Sequence, residues 1–185
     1  LAIIVSKFLG FKIVVRNGED VLGSTIYSEN KIQSLIVLLL KVLLYNFADK
    51  IITNSKGSGN SLRKILIKKN KIYPIYNPYL KKIYRNSIHS RSKHLLSVGR
   101  LVKEKDFYNL IIAFNFIKKK IPKYKLIIIG DGKLKNELQD LVSNLGLNKR
   151  IIFIGWKSKL KKYYINSKLF ILNSLYEGLG NVVID

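Results

Sequence analysis

Two acidic residues near the end of the chain are the first candidates for chemistry. Glu177 lies between an apolar run and two glycines, and Asp185 follows it eight positions later. If a helix begins near Gly180, its free backbone amides form an anion site. Glu177 should then face neutral hydroxyl groups of the same ligand, because a carboxylate repels phosphate, and Asp185 would reach a second hydroxylated group. The amides of this stretch belong to Gly178, Leu179, Gly180, Asn181 and Val182.

Two basic residues farther up the chain supply the charge that a phosphate needs. Arg100 follows the apolar run HLLSVG directly, and Lys105 comes five residues later. Guanidinium and ammonium groups bind phosphate oxygens and stabilise negative charge that develops on a leaving group. The pair is therefore predicted to clamp a diphosphate without a metal ion.

Glycines end four apolar runs in the second half of the chain. They lie in the stretches 99–100, 130–132, 155–157 and 174–180. In parallel α/β sheets, ligands bind beyond the carboxyl ends of the strands, so these stretches would share one edge of the sheet. The glycines indicate either that backbone approaches a ligand closely or that the chain turns tightly into a helix. The sequence leaves both alternatives open.

The elements that must position these residues follow a strand–helix alternation. In the second half, continuous apolar runs predict strands at residues 94–99, 124–129, 150–156 and 168–174, separated by stretches with helical spacing. In the first half, strands are predicted near residues 11–18, 49–53 and 71–78. Fully apolar strands that alternate with helices indicate parallel sheets covered on both faces, so the predicted fold class is α/β.

The most hydrophobic stretch is residues 34–47. It is interrupted by Lys41 and is shorter than the roughly 20 residues that a membrane-spanning helix needs. We predict a helix that is either buried or lies at an interface. Farther along, Ser55 or Ser58 should cap the next helix, and Gly146 should follow the end of a later one.

The composition excludes several kinds of site. The chain has no Cys, hence no disulfide, thiolate metal site or Cys nucleophile. No His, Asp and Glu cluster has metal-ligand spacing, and His89 and His94 are interpreted as solvated or packing residues. The net charge is +23, from 28 Lys and six Arg against 11 acids. This charge fits a Lys-rich background composition, attraction to an anionic membrane or phosphorylated ligand, or nucleic-acid binding, and composition alone leaves these open.

Several stretches resemble the donor-binding half of retaining glycosyltransferases of family 4, which have the GT-B fold. They are SVGRLVKEKDFYNLIIAF, KLIIIGDGKLKNELQDLVSNLGL, IIFIGW and LNSLYEGLGNVVID. TNSKGSGNSLRK and PIYNP resemble the end of that family's N-terminal domain and the crossover to its second domain. The resemblance covers roughly residues 45–185. It implies two Rossmann-like domains with parallel sheets.

The resemblance also implies a domain organisation. Residues 1–80 would be the C-terminal part of the acceptor-side Rossmann-like domain, and residues 81–92 a linker. Residues 93–185 would be the donor-nucleotide-sugar-binding domain, nearly complete but truncated. The family's acceptor-side glycine-rich loop and catalytic His would precede residue 1, so this piece alone is expected to be inactive.

Roles for the site residues follow from the same resemblance. Arg100 and Lys105 would hold the donor diphosphate and Glu177 would contact the transferred sugar, so these three are the expected catalytic residues. Asp185 takes the ribose-binding position of an E-x7-E motif that reads E-x7-D here. Further expected donor contacts are Gly130, Asp131, the nucleobase-flanking loop of Gly155, Trp156 and Lys157, and the residues Gly178, Leu179, Gly180, Asn181 and Val182.

The implied function is transfer of a sugar, with retention of anomeric configuration, from a nucleotide-diphosphate sugar such as a UDP-sugar. The acceptor would be a polysaccharide- or lipid-linked glycan in cell-envelope synthesis. No cofactor, metal ion or specific nucleic acid is expected. A cytoplasmic location, peripheral at the anionic inner face of the membrane, is expected. Two alternatives stay open: another nucleotide-binding GT-B enzyme, and a charge-driven nucleic-acid-binding α/β domain.

Overall fold

The computed structural model describes residues 2–77 and 92–180, which fall into two compact units. Unit 1 comprises Leu1–Pro78 with Tyr176–Gly180, and unit 2 comprises Tyr79–Leu175 with Asn181–Asp185. Of the predicted linker 81–92, only Ser92 lies within the described residues. The described residues 176–180 are not helical, and the rest of the helix predicted near Gly180 lies outside them.

Unit 1 contains a three-stranded parallel sheet in the order β1-β2-β3. Its elements are α1 (Ala2–Phe8), β1 (Val14–Asn17), α2 (Val21–Ile26), α3 (Lys31–Tyr45), β2 (Lys50–Thr53), α4 (Lys56–Ile65), a 3-10 turn (Lys69–Lys71) and β3 (Ile72–Pro74). The central strand carries Ile51, which is fully buried beside Leu62 of α4 and Ile72 of β3. The three predicted strands are thus confirmed, each shorter than the apolar run that predicted it.

Helix α3 confirms the helix predicted at residues 34–47 but not its burial. Asn30 caps its start, since the Asn30 side chain accepts a hydrogen bond from the backbone N–H of Gln33. None of its residues is buried, so the buried alternative is wrong. The physical reason is that only one side of the helix, with Leu38 and Tyr45, packs against the core of unit 1, while apolar residues such as Ile32, Leu39 and Leu43 lie on its other sides. The interfacial alternative stays a prediction.

Helix α4 distinguishes the two predicted caps. The Ser55 hydroxyl accepts a hydrogen bond of 3.0 Å from the backbone N–H of Ser58, which makes Ser55 the capping residue. Ser58 instead donates its own hydroxyl to the Asn54 side-chain oxygen. Helices α1 and α2, of seven and six residues, were not predicted, because stretches this short carry too few turns to show a period.

Unit 2 contains a four-stranded parallel sheet in the order β6-β5-β4-β7. Its elements are β4 (His94–Val98), a 3-10 turn (Lys103–Lys105), α5 (Phe107–Ile117), β5 (Lys125–Ile129), α6 (Lys135–Asn144), β6 (Ile151–Gly155), α7 (Lys161–Asn166) and β7 (Leu169–Phe170). Gly146 follows the end of α6 as predicted, and its backbone is left-handed, with φ of +64°. Strand β7 is shorter than predicted, since residues 171–174 leave the sheet.

The sheet of unit 2 is covered on both faces, as its apolar strands predict. Leu126 and Ile128 of β5 pack with Ile111 of α5 and Leu138 of α6. The alternate strand positions, such as Ile129, belong to a second cluster that packs against side chains of α7. Because successive strand residues point to opposite faces, a strand buried on both faces must be apolar throughout.

Replacement of Ile111 by alanine should destabilise unit 2 by about 2–5 kcal/mol, because this side chain is fully buried. The same replacement of Phe116, which is 80% exposed on the same helix, should cost less than about 0.5 kcal/mol. Urea unfolding followed by Trp156 fluorescence measures both, since this single tryptophan lies in unit 2. Equal unfolding midpoints for the two variants would contradict the core described above.

Candidate active site

The strand order of unit 2 creates a crevice at one edge of its sheet. From β4 the chain moves to β5 and β6 on one side, and it returns to place β7 on the other side of β4. Loops that follow β4 and β7 therefore leave the sheet in opposite directions, and ligands of open α/β sheets bind in the crevice between such loops. The predicted site residues of unit 2 that the structure describes, from Arg100 to Lys157, lie on the loops at this carboxyl edge.

The loop after β4 carries both predicted cations. Arg100 is 75% exposed, and its Nη2 lies 3.4 Å from Oε1 of Glu104. Lys105 is half-buried, and its Cγ and Cδ lie 3.6 Å from the point that a Cβ at Gly99 would occupy. The stem of Lys105 thus lies against the end of β4, from which Arg100 also departs. The two positive charges belong to one loop at the crevice.

The loop after β5 packs backbone to backbone against the loop after β4. Gly130 has φ of +149°, and a Cβ at this position would lie 1.8 Å from the carbonyl oxygen of Gly99. The N–H of Leu101 donates to the carbonyl oxygen of Asp131 at 2.9 Å. Gly130 is therefore required by the approach of the two loops to each other, a reason that the sequence did not indicate.

Asp131 has both carboxylate oxygens engaged. Lys135 Nζ donates to Oδ2 at 3.0 Å, and the N–H of Gly132 donates to Oδ1 at 2.9 Å. The hydrogen bond from Lys135, followed by that from Gly132, holds the pKa of Asp131 below its ordinary value. Asp131 is thus ionised at neutral pH and orders the start of α6.

The loops after β4 and β7 are tied to each other by two hydrogen bonds. Asn173 Nδ2 donates to the carbonyl oxygen of Asp106 at 2.8 Å, and the N–H of Leu175 donates to that of Glu104 at 2.9 Å. Asp106 precedes α5 with a left-handed backbone, φ of +51°. Sequence analysis missed Asp106 and Asn173 as positioning residues. An Asp directly before a helical apolar run was the available signal for Asp106.

The loop after β6 places an aromatic ring at the same edge. Gly155 accepts a hydrogen bond of 3.0 Å from the N–H of Gly130 through its carbonyl oxygen. Trp156 follows with 72% of its surface exposed, and Lys157 is exposed as well. The indole ring is therefore accessible to a ligand.

The stretch Tyr176–Gly180, which contains Glu177, is described with unit 1. A Cβ at Gly178 would lie 2.4 Å from the carbonyl oxygen of Gly18 and 2.8 Å from Nδ2 of Asn54. Glu177, Leu179 and Gly180 are half-buried. The predicted contacts Asn181, Val182 and Asp185 lie outside the described residues.

Two other sequence expectations concern metals and histidines. Within residues 2–77 and 92–180, no three His, Asp or Glu side chains are grouped as a metal ion would require. His94 is half-buried at the first position of β4, at the edge of the sheet opposite the crevice, and His89 lies outside the described residues. No helix in the described part of the chain is long and apolar enough to cross a bilayer.

Comparison with known proteins gives concordant matches in sequence. Residues 81–185 match the family model described as Glycosyl transferases group 1. An uncharacterized glycosyltransferase of Methanocaldococcus jannaschii is 35% identical over 172 residues, or 86% of this chain and 42% of the relative. A relative from Campylobacter jejuni is 33% identical over 187 residues, which make up 98% of this chain and 50% of the relative. It is named N-acetylgalactosamine-N,N'-diacetylbacillosaminyl-diphospho-undecaprenol 4-alpha-N-acetylgalactosaminyltransferase. The chain thus spans about half the length of these curated relatives.

Two solved structures share the fold. TarM of S. aureus matches with a TM-score of 0.74 at 18% identity, covering 97% of this chain and 36% of TarM. Anabaena HepE matches with a TM-score of 0.74 at 20% identity, covering 94% of this chain and 49% of HepE. At these identities the likeness shows the fold alone. The predicted α/β fold of GT-B type, with parallel sheets, is therefore confirmed.

Replacement of Gly130 by alanine should destabilise unit 2 more than replacement of Gly146, although both glycines have positive φ. Alanine at residue 146 meets no atom within 4 Å and should cost only the backbone strain, about 1–2 kcal/mol. At residue 130 the new Cβ must also displace the backbone of Gly99. Thermal unfolding followed by Trp156 fluorescence measures the difference. A Gly130→Ala variant as stable as Gly146→Ala would contradict the described loop packing.

Proposed function

This chain belongs to the glycosyl transferases group 1 family, and on that premise we propose that the protein transfers a sugar from a nucleotide-diphosphate sugar to a glycan or lipid-linked acceptor. The observation that carries the proposal is the loop after β4, which presents Arg100 and Lys105 at the crevice of unit 2. Diphosphate is the charged group common to all such donors. Two cations on one loop match it in charge.

The known relatives support this choice of donor and acceptor. The Campylobacter jejuni relative is named for transfer of N-acetylgalactosamine to a diphospho-undecaprenol-linked glycan. HepE was crystallised with UDP and glucose, and TarM with UDP. We therefore propose a UDP-sugar as the donor and a polysaccharide- or lipid-linked glycan of the cell envelope as the acceptor.

Arg100 and Lys105 are proposed to act mainly on the leaving group. When the bond between the anomeric carbon and the diphosphate oxygen breaks, negative charge grows on that oxygen. Fixed cations beside it lower the energy of the transition state more than that of the bound donor. The Lys105 stem, held against Gly99, and the ties from Asn173 and Leu175 limit movement of this loop. The same cations make a metal ion unnecessary in the proposal.

Retention of configuration belongs to the same proposal. The acceptor hydroxyl would attack on the face that the diphosphate leaves and pass its proton to the departing diphosphate oxygen, so the new bond forms on the side of the old one. Glu177 would accept hydrogen bonds from sugar hydroxyls, and the amides of residues 178–182 would bind an anionic group. Asp185 would bind the ribose.

The nucleobase is proposed to lie beside the loop after β6. Trp156 offers an exposed ring for stacking, and Lys157 follows it on the same loop. Gly130 and Asp131 would approach the donor from the loop after β5. Because both Asp131 oxygens already accept hydrogen bonds, its proposed contribution is through the backbone.

A peripheral location at the cytoplasmic face of a membrane is proposed as well. A lipid-linked acceptor is confined to the bilayer, and an enzyme with a net charge of +23 is attracted to anionic lipids. An enzyme held there meets its acceptor at high local concentration.

Replacement of Arg100 by alanine should lower kcat of the full-length protein by about 100-fold, comparable to the loss of other charge-stabilising donors. UDP should quench Trp156 fluorescence in the wild type, and the variant should need about tenfold more UDP or greater for the same effect. Lys149→Ala is the matched control, because Lys149 is an exposed cation before β6, at the opposite edge of the sheet. It should behave as the wild type.

Two outcomes would reject the proposal. Unchanged turnover of Arg100→Ala would remove the proposed role of the loop after β4. Absence of saturable UDP binding, together with salt-sensitive binding to DNA of any sequence, would favour the charge-driven nucleic-acid-binding alternative.

A further inference from the structure

The stretch Tyr176–Gly180, which we call the Glu177 segment, packs within unit 1 on both sides of Glu177. Tyr176 contacts the backbone and an aromatic ring of α2, and Gly178 contacts polar groups around the start of α4. Glu177 lies between these two anchored neighbours and is half-buried. The position of its carboxylate therefore depends on both anchors.

The aromatic anchor is Tyr27, which ends α2. The rings of Tyr27 and Tyr176 are nearly parallel, at 10°, and their centroids lie 6.0 Å apart, within the range of stacked aromatic pairs. The same helix approaches Tyr176 closely, because a Cβ at Gly23 would lie 2.5 Å from the Cβ of Tyr176. Gly23 thus lets the helix come near, and Tyr27 holds the ring.

The polar anchor is formed by Asn54 and Ser58, which are both buried. Asn54 Nδ2 donates to the carbonyl oxygen of Gly18 at 2.8 Å, and Asn54 Oδ1 accepts from the Ser58 hydroxyl at 3.0 Å. Gly178 lies directly against this amide, since a Cβ there would be 2.8 Å from Nδ2 and 2.9 Å from Oδ1. The carbonyl oxygen of Gly178 also lies 3.4 Å from the Ser58 hydroxyl oxygen.

Capping of α4 does not account for these two side chains. The cap is Ser55, and Ser58 occupies the third position of the helix, where a capping box carries Glu or Gln. Ser58 instead donates its hydroxyl to Asn54 and faces Gly178. Burying an amide and a hydroxyl costs free energy unless both are hydrogen-bonded, and here their bonding is directed at Gly18 and the Glu177 segment.

We propose that Tyr27, Asn54 and Ser58 are positioning residues, which set the Glu177 carboxylate for the hydroxyl groups of the transferred sugar. Each acts through the backbone on one side of Glu177 and needs no contact with the donor. Hydrogen bonds weaken steeply with distance and angle, so a carboxylate on a loosened backbone would less often meet the sugar in productive geometry. Binding of the nucleoside diphosphate, which other loops contact, would not change.

This inference rests on the sugar contact proposed above for Glu177, and the two can fail separately. Full turnover of Glu177→Ala would refute the role of Glu177 itself and this inference with it. Impaired turnover of Glu177→Ala, together with normal turnover of Tyr27→Ala, would refute this inference alone.

Hydrogen exchange of the full-length protein without substrate tests the aromatic anchor. Tyr27→Ala should make the backbone amides of the Glu177 segment exchange about two- to tenfold faster, as expected for the loss of one stacked aromatic pair. Tyr27→Phe should restore the wild-type rate, because it keeps the ring. Tyr73→Ala is the matched control, since Tyr73 is 43% exposed in unit 1 and Tyr27 is 42% exposed. It should leave this exchange unchanged, and an unchanged rate in Tyr27→Ala would overturn the proposal.

Kinetics test whether the anchor acts through Glu177, with UDP-glucose or UDP-N-acetylgalactosamine, whichever the wild type turns over faster. Tyr27→Ala should lower kcat/KM by about 10- to 100-fold, as a misplaced group does. Quenching of Trp156 by UDP, which lacks the sugar, should need the same concentration as in the wild type. In a Glu177→Ala background the same replacement should lower kcat/KM no further. An equal fall in both backgrounds would overturn the proposal, because Tyr27 would then act independently of Glu177.

Ser58→Ala tests the polar anchor in the same assays. It removes the hydroxyl that faces Gly178, so it should give the same faster exchange and the same dependence on Glu177. Thr53→Val is the matched control, because Thr53 is equally buried and its hydroxyl donates to the carbonyl oxygen of Ser55 at 3.0 Å. It should lower the unfolding temperature without changing exchange of the Glu177 segment or kcat/KM. Equal effects of Ser58→Ala and Thr53→Val would indicate general loosening of unit 1 and would overturn the proposal.

Discussion

The contact between the backbones of Gly130 and Gly99 is the constraint on which the carboxyl edge of unit 2 depends. It brings the loops after β4 and β5 so close that no side chain fits between them. Gly130 also joins the loop after β6 through its N–H. Three loops are thus fixed relative to the sheet by main-chain atoms alone. Arg100 and Trp156 are largely exposed on these loops, and the Arg100 guanidinium lies 3.4 Å from Glu104.

The two units differ in how much of their apolar side chains they bury. Unit 2 buries the apolar strand residues of both faces of its sheet under helices. Its candidate site residues lie on the loops at the carboxyl edge. Unit 1 has a smaller core, and its longest described helix turns most of its apolar side chains outward.

Much of this fold is predictable because local patterns carry it. The apolar runs predict the strands of both sheets, and their lack of polar positions predicts that both faces of the unit 2 sheet are covered. Gly146 is predictable as a residue after a helix, since glycine adopts left-handed backbone without strain. The exposure of α3 is not predictable from its sequence, because a run of apolar residues does not reveal whether a neighbouring element covers it. The hydrogen bond from Asn173 to Asp106 spans 67 positions, and no local pattern reveals it. For the same reason sequence places Glu177 beside glycines but says nothing of the Gly18 and Asn54 atoms that crowd Gly178.

Asp106 imposes a limit on how this chain can diverge. Among the described residues it is the one non-glycine with positive φ, and its carbonyl oxygen receives the hydrogen bond that ties down the loop after β7. Only Asp, Asn and Gly adopt this backbone readily, and a branched side chain would push the chain out of it. The neighbouring Lys103 is exposed and has no such restriction. Position 103 can therefore vary freely among homologous sequences, whereas position 106 can hardly vary. Neither residue is a predicted ligand contact.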